Sequence, residues 1–193
     1  MWWCRYCVAL VLLASRECGG LAYTYFAFGS NVHRSVFSER RDIKPLALAR
    51  GRVVDYRLAF NLRGFSEVEP SFASIEPALG EEVHGMVYLL SPVDWLRLCA
   101  SEGAGLTYAV ENVRVELYRP EGLRFGKRQG TLEETSDGRL LIEARTLRTR
   151  PGPWRVDQRA EEPRPSERYL NLIKEGAMRR GLDATWQQQL DRS

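Results

Sequence analysis

The eight residues Leu21-Ala-Tyr-Thr-Tyr-Phe-Ala-Phe28 carry no charge, are built largely from aromatic and small side chains, and stop at Gly29. A run this short and this apolar predicts a buried strand, and the glycine predicts a tight turn at its end. Behind the turn, Asn31 to Arg41 places Val32, Val36 and Phe37 at helical spacing, with Ser30 or Asn31 available as N-cap. A buried strand needs covering neighbours, so the remaining chain must supply them.

It has the material to do so. Gly51-Arg-Val-Val-Asp-Tyr-Arg-Leu-Ala-Phe60 alternates as a strand or strand pair, and Glu82 to Leu90 is the most strand-like segment. Between them, Phe65 to Ile75 reads as a loop around Pro70, and Gly80 as a turn. Ser91-Pro92 opens a short helix from Val93 to Cys99, with serine as cap and proline in the first turn. Tyr108 to Leu117 alternates again, and Asp137-Gly138 marks a hairpin turn between two strands of the Gly130 to Arg148 segment. Pro151 to Pro165 is a surface loop by composition, and Ser166 to Leu190 is helical with a break near Gly181. Strands dominate without strict strand–helix alternation. The fold class is α+β.

Composition removes several functions. With 28 basic and 25 acidic residues the net charge is only +3, and no run concentrates it, which argues against nucleic-acid binding. Neither a glycine-rich dinucleotide fingerprint nor a phosphate-loop sequence is present. Four cysteines and two histidines do not build a metal site, so no cofactor or metal is expected. Cys4-x-x-Cys7 lies too near the start for a redox motif and reads as a chance pair within an apolar leader. Residues 1–20 hold the apolar run Cys7 to Ala14 behind Arg5, too short for a stable membrane span and suited to a signal or transit segment. The alternative is a buried first strand. Under the leader reading the domain is 21–193, and a chain starting near Leu21 is expected to fold.

Two places carry chemistry. Gly29-Ser30-Asn31 joins a buried strand to a helix start, where exposed amides can hold an anion such as a carboxylate, or where the residues simply cap the helix. Glu102 sits in the small-residue segment Ala100-Ser-Glu-Gly-Ala-Gly105, read as a loop at a sheet edge, where a carboxylate can enter a cleft or stay solvated.

Taken together, the segments resemble a known family. Tyr25-Phe-Ala-Phe-Gly-Ser-Asn31 is similar to the Tyr-Phe-Ala-Tyr-Gly-Ser-Asn signature of the γ-glutamylcyclotransferases. Glu82-Val-His-Gly-Met-Val-Tyr88, Glu102-Gly103 with Tyr108, and Pro165-Ser-Glu-Arg-Tyr169 with Gly176-Ala177 and Gly181-Leu182 follow in the family's order. The resemblance implies a small mixed, barrel-like sheet with short helices and a C-terminal helix. It implies conversion of a γ-glutamyl amino acid into 5-oxoproline and a free amino acid, without cofactor, by a monomer or homodimer. Glutathione-specific and γ-glutamylamine relatives, and a non-catalytic binder, are the alternatives.

Residue by residue, the resemblance makes Glu102 the general base and acid. Tyr25, Phe26, Ala27, Phe28, Gly29 and Ser30 would line the γ-glutamyl pocket, with backbone amides on the α-carboxylate, and Tyr169 would hydrogen-bond the substrate. Phe28 and Leu147 stand where the family carries tyrosine, which costs hydroxyl contacts rather than the base. The departing amino acid would meet segments such as Phe65 to Ile75. The compartment is open between a targeted location and the cytoplasm.

Overall fold

The computed structural model describes residues 22–118, 128–129 and 132–192. The leader with Cys4, Cys7 and Cys18 lies outside the described residues; Cys99 is a free thiol.

Seven strands among the described residues form one sheet: β1 (Tyr23–Ala27), β2 (Ala47–Ser66), β3 (Glu69–Leu90), β4 (Tyr108–Leu117), β5 (Arg128–Gln129), β6 (Leu132–Glu134) and β7 (Leu140–Thr149). Their order is β1-β3-β2-β4-β7-β6-β5, and β1 also meets β7 in parallel at Tyr25 and Arg145. That contact closes five strands, β1-β3-β2-β4-β7, into a small barrel. The expected barrel-like α+β fold is therefore the observed one. Helices α1 (Pro92–Glu102), α2 (Glu167–Arg180) and α3 (Ala184–Asp191) flank it.

The uncharged run forms β1, antiparallel to the end of β3 from Tyr23 opposite Leu90 to Ala27 opposite Met86. Phe26, Ala27, Val87, Tyr88 and Leu90 are fully buried around it. Closure gives β1 a neighbour on each side, β3 and β7, which is why an uncharged strand can sit in the middle of the structure.

Three local expectations need correction. The loop expected at Phe65 to Ile75 is mostly strand: β2 and β3 form one long hairpin that turns at Glu67-Val68, pairing Ser66 with Glu69 and Leu62 with Phe72. Pro70 is tolerated close to the start of its strand. Gly80 is not a turn either; β3 runs through it in a bulge, residues 78–81 standing opposite Asp55 alone, and the Asp55 carboxylate accepts the Gly80 N–H at 2.9 Å. The third correction concerns the segment after Gly29.

That segment winds as a 3-10 turn (Ser30–Val32) followed by a π-helical turn (Ser35–Arg40), with no side-chain cap at either start. Its α-helical bond from Ser35 N–H to Asn31 C=O is replaced on both sides. His33 Nδ1 accepts from Ser35 N–H at 3.2 Å, and the Asn31 carbonyl accepts from the Tyr88 hydroxyl at 3.1 Å. Neither Ser30 nor Asn31 caps a helix, which frees the Asn31 side chain for other work.

The remaining helices follow their sequence signals. Ser91 caps α1 by accepting from Asp94 N–H at 3.1 Å, and Ser166 caps α2 by accepting from Tyr169 N–H at 3.1 Å. Gly181 ends α2 in a left-handed conformation at φ 63°, where the break was expected. Helix α1 runs three residues past Cys99, to Glu102, because its left-handed stop is Gly103 at φ 64°.

Candidate functional site

Glu102 is thus the last residue of a capped helix rather than part of a loop, and its backbone is fixed by that helix. Its side chain, 17% exposed, lines a cavity of about 280 Å³ together with Ser30, Val36, Arg40, Arg41, Leu62, Arg63, Phe72, Ser101, Thr107, Tyr108, Arg168, Tyr169 and Leu172. Elements far apart in sequence meet here: the turn after β1, the long β2–β3 hairpin, the end of α1, and α2.

One oxygen of Glu102 is held from two sides. Oε1 accepts from Asn31 Nδ2 at 2.7 Å and pairs with Arg41 Nη2 at 2.6 Å. Arg41 Nε in turn donates to Asn31 Oδ1 at 3.1 Å, and Asn31 Nδ2 also donates to the Tyr25 hydroxyl at 3.1 Å. Asn31 is 6% exposed, so every polar atom of its amide is engaged in a buried network. Oε2 has no protein partner among the described residues, and the side chain borders the cavity. The carboxylate is oriented by one oxygen and open at the other.

Tyrosines form the floor. The Tyr169 hydroxyl accepts from Ala73 N–H at 3.2 Å, while the Tyr108 hydroxyl donates to Ala73 C=O at 3.0 Å, so one residue of β3 is held through both its backbone groups. Burial pushes the Tyr169 hydroxyl up to about 12; hydrogen bonds from Ala73 and Ser30 act the other way and the Glu102 charge reinforces burial. Burial and the same negative charge raise Tyr25 and Tyr108 as well. All three phenols are neutral at ordinary pH and serve as hydrogen-bonding groups.

The residues expected to form the site separate into two sets. Ser30, Glu102 and Tyr169 line the cavity, and Gly29 lies against its wall: a Cβ there would sit 3.2 Å from Ala73 Cβ and 3.4 Å from the Tyr169 hydroxyl. Gly29 has φ −93°, so its requirement is this close approach and not a left-handed backbone. The side chains of Tyr25, Phe26, Ala27 and Phe28 are buried in the core and do not line the cavity; Leu147 is likewise core. Tyr25 reaches the site through Asn31.

Sequence reasoning missed Arg41 and the bridging role of Asn31. A signal for Arg41 existed: it falls four residues after Phe37, on the stretch's apolar side, where an arginine is buried only with a partner. Among the described residues no three His, Cys, Asp or Glu side chains gather in a way that could hold a metal ion. No helix among them is long and apolar enough to cross a membrane.

No family model matches the chain. Curated relatives do. The γ-glutamyl cyclotransferase gliK of Aspergillus fumigatus is 34% identical over 169 residues, covering 79% of this chain and 55% of its own length. The γ-glutamyl cyclotransferase aclK of Aspergillus oryzae is 30% identical, covering 84% of this chain and 58% of its own length. The chain thus spans little more than half the length of these two relatives. The γ-glutamyl cyclotransferase verK of Clonostachys rogersoniana is 30% identical over 163 residues, covering 76% of this chain and 80% of the relative. A solved γ-glutamyl cyclotransferase structure superposes with a TM-score of 0.61 over 89% of this chain and 87% of that one, at 23% identity, a likeness of fold. On the strength of this shared fold and of identity sustained along most of verK, the chain belongs to the γ-glutamyl cyclotransferase family.

Proposed function

We propose that the protein converts a γ-L-glutamyl-L-amino acid into 5-oxo-L-proline and a free L-amino acid, with Glu102 as the proton carrier. The observation that carries this reading is the Glu102 carboxylate, held through Oε1 by Asn31 and Arg41 and bordering a cavity of about 280 Å³ with an Oε2 that has no protein partner among the described residues.

The chemistry follows from that arrangement. The substrate's α-ammonium gives a proton to Glu102, which frees the nitrogen lone pair to attack the γ-amide carbon. The new C–N bond closes a five-membered ring and the ring nitrogen gives up its second surplus proton; the old C–N bond breaks as the departing nitrogen takes up both protons through Glu102 and leaves as an ammonium. No water is consumed. Because nucleophile and electrophile belong to one molecule, holding the chain folded back supplies much of the rate, potentially several kcal/mol, on the order of the effective-molarity gains of oriented reactions. In this reading the Gly29-Ser30 turn takes the α-carboxylate through backbone amides, and Tyr169 hydrogen-bonds the γ-glutamyl group from the floor. The buried side chains of Tyr25 to Phe28 shape that turn from behind.

The test is incubation with γ-glutamylalanine and with glutathione in separate reactions, followed by measurement of 5-oxoproline. Release from γ-glutamylalanine is the expected result. Release from glutathione alone would move the assignment to a glutathione-specific cyclotransferase. Release from neither would leave a binding protein that keeps the pocket without turnover.

A further inference from the structure

The cavity has an unbalanced rim. Four arginines line it, Arg40, Arg41, Arg63 and Arg168, against the single carboxylate of Glu102. Arg41 is committed to Glu102, and Arg168 is committed to Glu69 through Nε at 2.9 Å. Arg40, at the end of the π-helical turn, and Arg63, on β2, have no carboxylate within ion-pair distance among the described residues, and both are exposed. Two positive charges are left over at the mouth of a site whose floor is acidic and phenolic.

Depth gives the direction of the substrate. Glu102, Tyr108 and Tyr169 are 17%, 8% and 9% exposed, so the γ-amide and the γ-glutamyl half lie at the deep end. With the scissile amide held at Glu102, the half that departs extends toward the exposed part of the lining, where Arg40 and Arg63 stand. A guanidinium binds a carboxylate with two parallel charge-assisted hydrogen bonds, and an amine leaving group without a carboxylate offers nothing to either arginine.

We infer that Arg40 and Arg63 form a subsite for a carboxylate on the departing half of the substrate, which makes γ-glutamyl amino acids and γ-glutamyl peptides, not γ-glutamylamines, the substrate class. The inference rests on the cyclotransferase reading above. Leu62, Phe72 and Leu172, which line the same cavity, offer apolar surface to the side chain of the departing residue, and the carboxylate fixes the scissile amide against Glu102.

The experiment compares γ-glutamylalanine with γ-glutamylethylamide, which differs by the carboxylate alone. The wild-type protein should prefer γ-glutamylalanine in kcat/KM by tenfold or more, and the preference should shrink as salt screens the exposed arginines. In the double variant Arg40→Gln with Arg63→Gln, KM for γ-glutamylalanine should rise about tenfold and the ratio between the two substrates should fall toward one. The double variant Arg40→Lys with Arg63→Lys should keep part of the preference. Unaltered melting temperatures would show that the fold is intact, as expected for exposed side chains. Equal efficiency of the wild type on both substrates, or an unchanged ratio in the glutamine variant, would overturn the subsite while leaving the cyclotransferase reading in place. Absence of 5-oxoproline from both substrates would overturn both.

Discussion

Two glutamates in this protein are surrounded by the same residue types, and they are built for opposite ends. Glu76 on β3 receives Asn61 Nδ2 on Oε1 at 2.7 Å, and on Oε2 both Arg148 Nε at 3.1 Å and Arg155 Nη2 at 3.0 Å. Glu102 receives an asparagine and an arginine as well, but both on one oxygen. Glu76 is 6% exposed and saturated, and it ties the outer half of the β2–β3 hairpin to β7 and to the segment after it. Glu102 is half satisfied and borders a cavity. A carboxylate whose every acceptor site is filled has nothing left for a substrate; one with an oriented, unfilled oxygen does. Position of partners, more than their identity, separates structure from chemistry here.

The strongest way to break this comparison is Glu102→Gln. Turnover should fall by roughly two to four orders of magnitude, the span of a lost acid/base group, while the unfolding midpoint, lowered by the loss of Arg41's counter-charge, moves less than in Glu76→Ala because the amide keeps the side chain's shape. Retained 5-oxoproline production would place the proton carrier elsewhere.

Glu76→Ala should show the reverse pattern. Removing one partner of a buried ion-pair cluster costs about 3–5 kcal/mol, read by urea unfolding, with near-normal turnover per folded molecule. The same residue sets an acid limit. Burial alone would raise its carboxyl, but hydrogen bonds from Arg148 and Asn61 and the charges of Arg148 and Arg155 outweigh this and hold it below the ordinary value of 4.5. Its stabilisation is therefore present above that value and is lost as pH falls through the lowered folded one. The variant should lose this slope in an acid titration of stability; an identical slope would assign it to other carboxylates.

Gly29→Val tests the wall beside the open carboxylate. The added side chain meets Ala73 Cβ and the Tyr169 hydroxyl, so the floor must shift, at a cost of about 1–3 kcal/mol for overpacking. Calorimetric titration with 5-oxoproline should show weakened binding, and normal binding would remove the turn from the site. The smallest effect belongs to Glu111→Gln. Glu111 pairs with Arg148 at 3.2 Å on the flank of the saturated cluster and is about one-third exposed, so stability should change by no more than ~0.5 kcal/mol and turnover hardly at all. A collapse of activity there would make Glu111, and not Glu102, the acid to pursue.

How much of this could be read in the chain depended on how far apart the interacting groups lie. Ser91 and Ser166 as caps, the break at Gly181, the turn at Asp137-Gly138 and the uncharged strand before Gly29 were all readable, since each rests on forces acting within a few residues. The strand through Phe65 to Ile75 was not, because its ladder partner is β2 and a proline with flanking glutamates looks like a loop until that pairing exists. Glu102 could be singled out through motif order, but not its pairing with Arg41, 61 positions away on a segment whose winding changes at His33.

By itself, then, the sequence determined the elements and most of their ends: local capping, turn chemistry and alternation leave little choice once the apolar residues must be buried. Tertiary structure alone decided what Glu102 is next to. Closure of β1 onto β7 through Tyr25 and Arg145 buries β1, Asn31 is carried inward by the unwound turn behind it, and Gly103 stops α1 where Glu102 meets that amide. Which arginine a carboxylate meets is set by long-range packing, and the open oxygen on Glu102 exists only because that packing brings partners to one side of it.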